Sequence, residues 1–278
     1  MRILVVLVLS VLCIQPLVGQ MRLTNDMQET EAQLKASTKQ VNQFFRRFNG
    51  EESTDGNRYY EKDKEFRSTS LRRKYMPVLF DTETGQYDPK ETENFVKQIT
   101  DKKNPEFLDF HQDDWVAEVR TTFNYRGQEV SGLLFMRLQA YGQGYEWIIE
   151  DVMFDFINGR FDKDTTESKA FIHPMSHELE FMTLKKALKD NKHSEQYTAN
   201  DFEPDYLSIF LYELNTGNLK FVTVNDMQLH FFAIEGYYFS LSYFNRTGYN
   251  SGWLISSLVP LNSENETKQM KDYIYGKG

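Results

Sequence analysis

The residues of this chain best equipped for chemistry stand just ahead of a strand-like stretch: Asp109, His111, Asp113 and Asp114. A histidine beside carboxylates can act as a general base, because the neighbouring negative charge raises its proton affinity. That chemistry suits a cofactor-independent isomerase, dehydratase or hydrolase, with His111, Asp113 and Asp114 as its candidates. The plainer reading is a polar loop before a strand, and it weighs more because no matched partner is visible elsewhere. Glu150 and Asp151, near Trp147, form a second carboxylate pair. Only one of them can line a pocket, since adjacent strand residues point to opposite faces. His173 and His177 do not follow the His-Glu-x-x-His order of a zinc helix, so no metal is expected there. His177 shares a helical face with Phe181, Leu184 and Leu188, and it reads as a hydrogen-bonded histidine at a core edge, as does His230 in its strand. No phosphate-cradling glycine loop, Gly-x-Ser-x-Gly elbow or calcium loop occurs, and no cofactor is expected. The residues left to contact a ligand are Trp115, Trp147, Asp151, His177 and Trp253.

Strands must position most of these residues. From Trp115 to Arg126 the polarity alternates with the two-residue period of a pleated sheet: Trp115, Ala117, Val119, Thr121, Phe123 and Tyr125 on one face, Glu118, Arg120 and Asn124 among those on the other. Turns at Arg126-Gly127-Gln128 and Gly142-Gln143-Gly144 lead into Val130 to Tyr141 and Glu146 to Phe156, completing a meander. Upstream, the apolar spacing predicts a long helix over Gln28 to Asn49 ended by Gly50, and a second over Phe66 to Met76 ended by Pro77. Asp88-Pro89-Lys90-Glu91 starts a third, running to about Lys103. Downstream, a helix over Met175 to Asn191 precedes five expected strands: Tyr206 to Leu214, Leu219 to Val224, Met227 to Ile234, Tyr237 to Phe244 and Trp253 to Leu261. The tail from Asn262 is polar, with room for a short helix at Met270, Tyr273 and Ile274.

Composition excludes several function classes. With 41 acidic against 32 basic residues the formal charge is −9, and without an extended basic stripe nucleic acid and anionic membranes are poor partners. Arg46-Arg47 and Arg72-Arg73-Lys74 read as solvated helix faces. Met1-Arg2, the apolar run Ile3 to Leu12 and Pro16 to Gly19 read as a secretory signal peptide. The run falls short of the roughly 20 residues that span a bilayer, so no transmembrane segment remains after cleavage. Cys13, the only cysteine, lies within that leader. The mature chain therefore has no disulfide, no thiol nucleophile and no cysteine ligand, which fits a bacterial periplasm or cell surface. Leu12 disfavours a lipid on Cys13. Asn245-Arg246-Thr247 and Asn265-Glu266-Thr267 match glycosylation sequons, which matter only in a eukaryotic secretory host.

An internal repeat is visible in pattern. Glu146-Trp147-Ile148-Ile149 has its counterpart in Gly252-Trp253-Leu254-Ile255, each after a long strand and a glycine-containing turn. Helices followed by a meander whose last strand carries Trp-aliphatic-aliphatic resemble the nuclear transport factor 2-like superfamily, in which helices close a strongly bent sheet into a cone. The second copy has one clear helix rather than three, which keeps a cystatin-like arrangement as the competing fold. The resemblance implies either isomerases and dehydratases with a carboxylate or histidine at the cone floor, or non-catalytic members, so it does not decide function.

The expectation is an α+β protein of two tandem units, each a curved antiparallel meander with its helices: a leader at 1–20, units at 21–157 and 170–262, a linker at 158–169 and a polar tail at 263–278. The expected role is a secreted, non-catalytic binding or assembly module engaging a protein partner or an apolar small ligand, with a homodimer through the sheets left open. The alternative is the His/Asp enzyme in the first unit.

Overall fold

Helix and strand in this chain follow from where its aromatic residues can be hidden. The computed structural model describes residues 41–53, 55–158, 197–199, 202–247 and 250–276. The leader, most of the expected linker and the helix expected over Met175 to Asn191, with His173 and His177, lie outside the described residues. Description begins inside a helix, α1, over 41–49. It buries Phe44, Phe45 and Phe48. Helix α2 (Thr69–Tyr75) continues as a 3-10 turn over Met76–Leu79, because Pro77 cannot donate to the preceding turn. Helix α3 (Pro89–Ile99) starts as its sequence predicts: Asp88 accepts from the Lys90 amide and proline takes the first turn. It stops short of Lys103, since Asp101 turns its carboxylate onto the amides of Lys103 and Asn104, offering the backbone an alternative to helix.

The first meander forms as expected: β1 (Trp115–Tyr125), β2 (Gln128–Tyr141) and β3 (Gly144–Met153), followed by a helical turn at Asp155–Asn158, α4. Tyr206–Asn215 is a helix, α5, where a strand was expected. Asp205 caps it through the Ser208 amide, and Phe210 and Glu213 fall on one buried side. That helical spacing outweighs the aromatic and β-branched content which suggested a strand. Leu219–Ile234 is one strand, β4, rather than two. A register irregularity against β1 passes over Asn225 without breaking the ladder, and a second passes over Val222. β5 (Tyr237–Phe244), β6 (Gly252–Pro260) and α6 (Glu264–Ile274) complete the described chain.

All six strands join one antiparallel sheet in the order β3-β2-β1-β4-β5-β6. The two meanders meet along their first strands, from Trp115 opposite Phe231 to Tyr125 opposite Leu219. The segment after α2 adds two parallel bridges to the far edge, Phe80 with Ile255 and Gln86 with Ser257. One apolar cluster fills the inner face beneath α1, α3 and α5, and a second, smaller one lies on the outer face around Val116, Leu133, Phe135, Tyr238 and Ile274. α6 covers the outer face as a strap. It leaves β6, sets Lys271 5.0 Å over the Phe232 ring of β4 and lays Tyr275 4.7 Å from Phe135 of β2. It ends with the Tyr275 hydroxyl donating to Glu150 of β3 at 2.7 Å. Beneath it, buried His230 bridges Tyr238 at 2.8 Å and Glu118 at 3.1 Å, the hydrogen-bonded role that its strand position suggested.

Candidate functional site

Helix α1 divides its surface between two hollows. Gln43, Phe44 and Arg47 face one, while Asn42, Phe45, Arg46 and Asn49 face the other, as the 3.6-residue period requires of neighbours in sequence. The first hollow is a partly open cavity of about 420 Å³ between α1, α2 and the β5–β6 hairpin. The second is wider and lies open beside Arg58, Arg67 and His111.

Arg72 forms the floor of the cavity. It was expected on a solvated face, yet it is 2% exposed. Its Nε donates to the Phe48 carbonyl at 2.9 Å, Nη1 to Ile99 at 2.9 Å and Nη2 to Glu106 at 2.6 Å. Phe48 and Ile99 sit in the last turns of α1 and α3, where carbonyls lack helical partners and the helix dipole is negative, so one buried cation satisfies both ends. Burial, then repulsion from Arg67, lowers its pKa to about 10, which leaves it charged at neutral pH. Gly50 makes room for it: its φ is 72°, and a Cβ there would stand 2.7 Å from the Arg72 Cγ.

The wall beside α1 is built on Glu52, whose side chain is 2% exposed. Gln43 donates to it at 2.6 Å and Arg46 at 2.7 Å, while Arg47 Nε stands 3.4 Å away. The loop carrying Glu52 is tied back by its bridge to Arg58 and by the Tyr59 amide, which donates to the Glu51 carbonyl at 2.8 Å. The basic pair at Arg46-Arg47 is therefore partnered by a buried carboxylate. It is not a bare solvated face.

The opposite rim is locked to the sheet. Asp81, fully buried, accepts from Arg246, from the Thr84 hydroxyl and from the amides of Glu83 and Thr84. Burial pushes its carboxyl up, but the bonds from Thr84 and Arg246 outweigh this and hold it below the usual carboxylate range. Asn250 links the same hairpin to the preceding segment, donating to the Phe80 carbonyl at 2.7 Å and accepting from the Thr82 amide at 3.1 Å. Arg246 Nε donates to the Asn250 carbonyl at 2.7 Å. Trp253, buried and packed 5.8 Å from Tyr243, forms the inner wall.

Of the ligand-contact residues read from the sequence that are among the described residues, Trp253 alone lines this cavity. Trp115 is buried in the core, stacked 5.4 Å from Phe231, with its indole donating to the Phe110 carbonyl at 3.1 Å. Trp147 meets it edge-on at 5.5 Å and is 45% exposed. Asp151 sits at a register irregularity of β3, accepting from the Val152 amide. His111 is half-exposed, 3.5 Å from Asp109 and stacked 4.3 Å from Tyr145. Asp113 and Asp114 are exposed, and the Asp114 carbonyl accepts from the Phe232 amide. Among the described residues no ion pair joins His111 to Asp113 or Asp114, and no group of three or more His, Cys, Asp or Glu could hold a metal. No described helix is long and apolar enough to cross a membrane. The sequence reading missed Arg47, Glu52 and Arg72, although Gly50, three residues after a basic pair, marked the place where the helix ends. Compared with known proteins, the chain matches no family model, no curated protein and no solved structure.

Proposed function

We propose that this protein is an exported, non-catalytic binding module that holds a small ligand with an apolar body in the cavity between α1, α2 and the β5–β6 hairpin. One observation carries the reading: the cavity of about 420 Å³ sets apolar and aromatic walls from Phe44, Leu79, Tyr243 and Trp253 against polar groups from Gln43, Arg47, Arg72, Asn245 and Arg246. A concavity of that size can hold a small molecule, with the apolar walls for its body and the polar groups to orient it. The half-exposed setting of His111 and Asp109 supports the non-catalytic side, since a general base needs a concave, shielded pocket. Were His111→Ala to abolish a reproducible turnover, this side of the reading would be lost.

The architecture we infer is two related units fused about a pseudo-twofold axis, in the manner of tandem members of the nuclear transport factor 2-like superfamily. The shift that lays Trp147 on Trp253 also lays Arg120 on Asp226, and these two residues are partners in the central ladder. The same shift places β1 within β4 and β3 over β6. Helices α1 and α3 on the inner face suit the cone-closing role. Export to a periplasm or cell surface rests on the leader sequence alone.

Native mass spectrometry of the protein purified without denaturant tests the binding reading. The expected result is a small molecule that co-purifies, leaves on denaturation and is absent from Leu71→Trp, which fills the cavity. A ligand-free protein that also captures nothing from a library of apolar small molecules sinks it.

A further inference from the structure

We propose that the ligand is a monoanionic amphiphile, a carboxylate on an apolar tail, and that Arg47 receives the carboxylate; this rests on the binding reading above. Three arginines line the cavity. Arg72 spends its nitrogens on three backbone carbonyls. Arg246 is held by Asp81, by Glu83 at 2.8 Å and by Asn250. Arg47 differs from both. Its Nε is buried and has no hydrogen-bond partner among the described residues. Its one ionic neighbour among the described residues, Glu52, takes shorter bonds from Gln43 and Arg46.

One carboxylate thus serves two guanidinium groups, and the positive charge of Arg47 is left in excess on the cavity side, beside that of Arg72, which neutral carbonyls hold. A buried donor without an acceptor is costly, so an incoming acceptor gains more here than at a solvated arginine. The planar guanidinium fork matches a carboxylate in geometry as well as charge. A single negative charge offsets the share of that surplus carried by Arg47. A cationic head would meet repulsion, and a neutral head would leave the surplus uncompensated. Phe44, Leu71, Val78 and Leu79 give the lining an apolar portion, and the ligand's tail is assigned to it.

Calorimetry on the full chain with octanoate, octanol and octylamine as probes tests this. Octanoate is expected to bind about tenfold or more tighter than octanol, with octylamine weakest. Arg47→Gln removes the gap between octanoate and octanol, and Arg47→Lys restores part of it. Arg46→Gln, which also loses a bond to Glu52 but faces the other hollow, keeps the gap. Urea denaturation of each variant checks that it folds. Equal affinity for octanoate and octanol in the native protein, or equal loss of preference in the Arg46 and Arg47 variants, overturns the headgroup assignment while leaving a binding cavity. If none of the three probes binds, the binding reading itself falls and takes this inference with it.

Discussion

Trp147 and Trp253 occupy like positions on like strands, yet their surroundings differ. Trp147 lies on the edge strand β3, 45% exposed, against a cluster of Phe110 and Trp115, and of the two hollows Phe110 borders only the wider, open one. Trp253 lies on β6, 4% exposed, with α1 and α2 across a cavity from it. The strands are similar; the roofs are not. At the Trp147 end, Phe45 from α1 fills the space itself, 5.8 Å from Trp115. At the Trp253 end, Arg72 anchors the helix termini and Gly50 keeps the backbone clear. A sheet motif becomes a candidate binding wall only where the covering helices are held off it.

The sharpest way to break this comparison is to truncate both tryptophans. Trp253→Ala is expected to cost about 3–5 kcal/mol in urea denaturation, as buried aromatic truncations do, and Trp147→Ala about 1 kcal/mol or less. Similar losses would mean that the two ends are not differently built. Arg72→Met comes next. It strands the carbonyls of Phe48, Ile99 and Glu106, and the expected loss is about 3 kcal/mol, with faster amide exchange at the last turns of α1 and α3. A loss confined to α2 would detach Arg72 from the cavity's construction.

Asp81→Asn sharpens the comparison through pH, with an expected loss of about 2 kcal/mol at neutral pH. The folded carboxyl holds its proton more weakly than the unfolded one, whose ordinary value is 3.8. The native protein therefore has this stabilisation in full above that value and loses it as pH falls through the lowered one. Asp81→Asn should flatten this part of the stability curve as pH falls below 3.8, and an unchanged slope would remove Asp81 from the lock. A small effect is also expected for Tyr275→Phe, about 1 kcal/mol, because its bond to Glu150 is partly open to water. It should leave ligand binding unchanged, since the strap lies on the opposite face from the cavity.

Much of the sheet was legible from alternation alone. β1, β2 and most of β3 follow the two-residue pattern because one face is buried under helices and the other is largely wet, and Asp88-Pro89 announced α3. Tyr206 to Asn215 misled because its aromatic and β-branched residues suit either period, and only the Asp205 cap tips the balance. The Asn225-Asp226 step resembled a turn, but a strand with a solvated outer face tolerates polar residues at an irregularity. The joining of the two meanders through β1 and β4 was not legible, because ladder bonds between distant segments leave no local trace. The site was hidden for a related reason. Arg47 and Glu52 gain their meaning from burial, and charged letters in a helix read as solvated until the element that covers them is known.

The strap formed by α6 also sets an order of events during synthesis. α6 follows all six strands in the chain, so Val116, Leu133, Phe135 and Tyr238 on the outer face stay uncovered until it has emerged. Nascent chains that have completed the sheet but lack α6 carry an adhesive surface, which makes this interval the one in which a chaperone has most to protect.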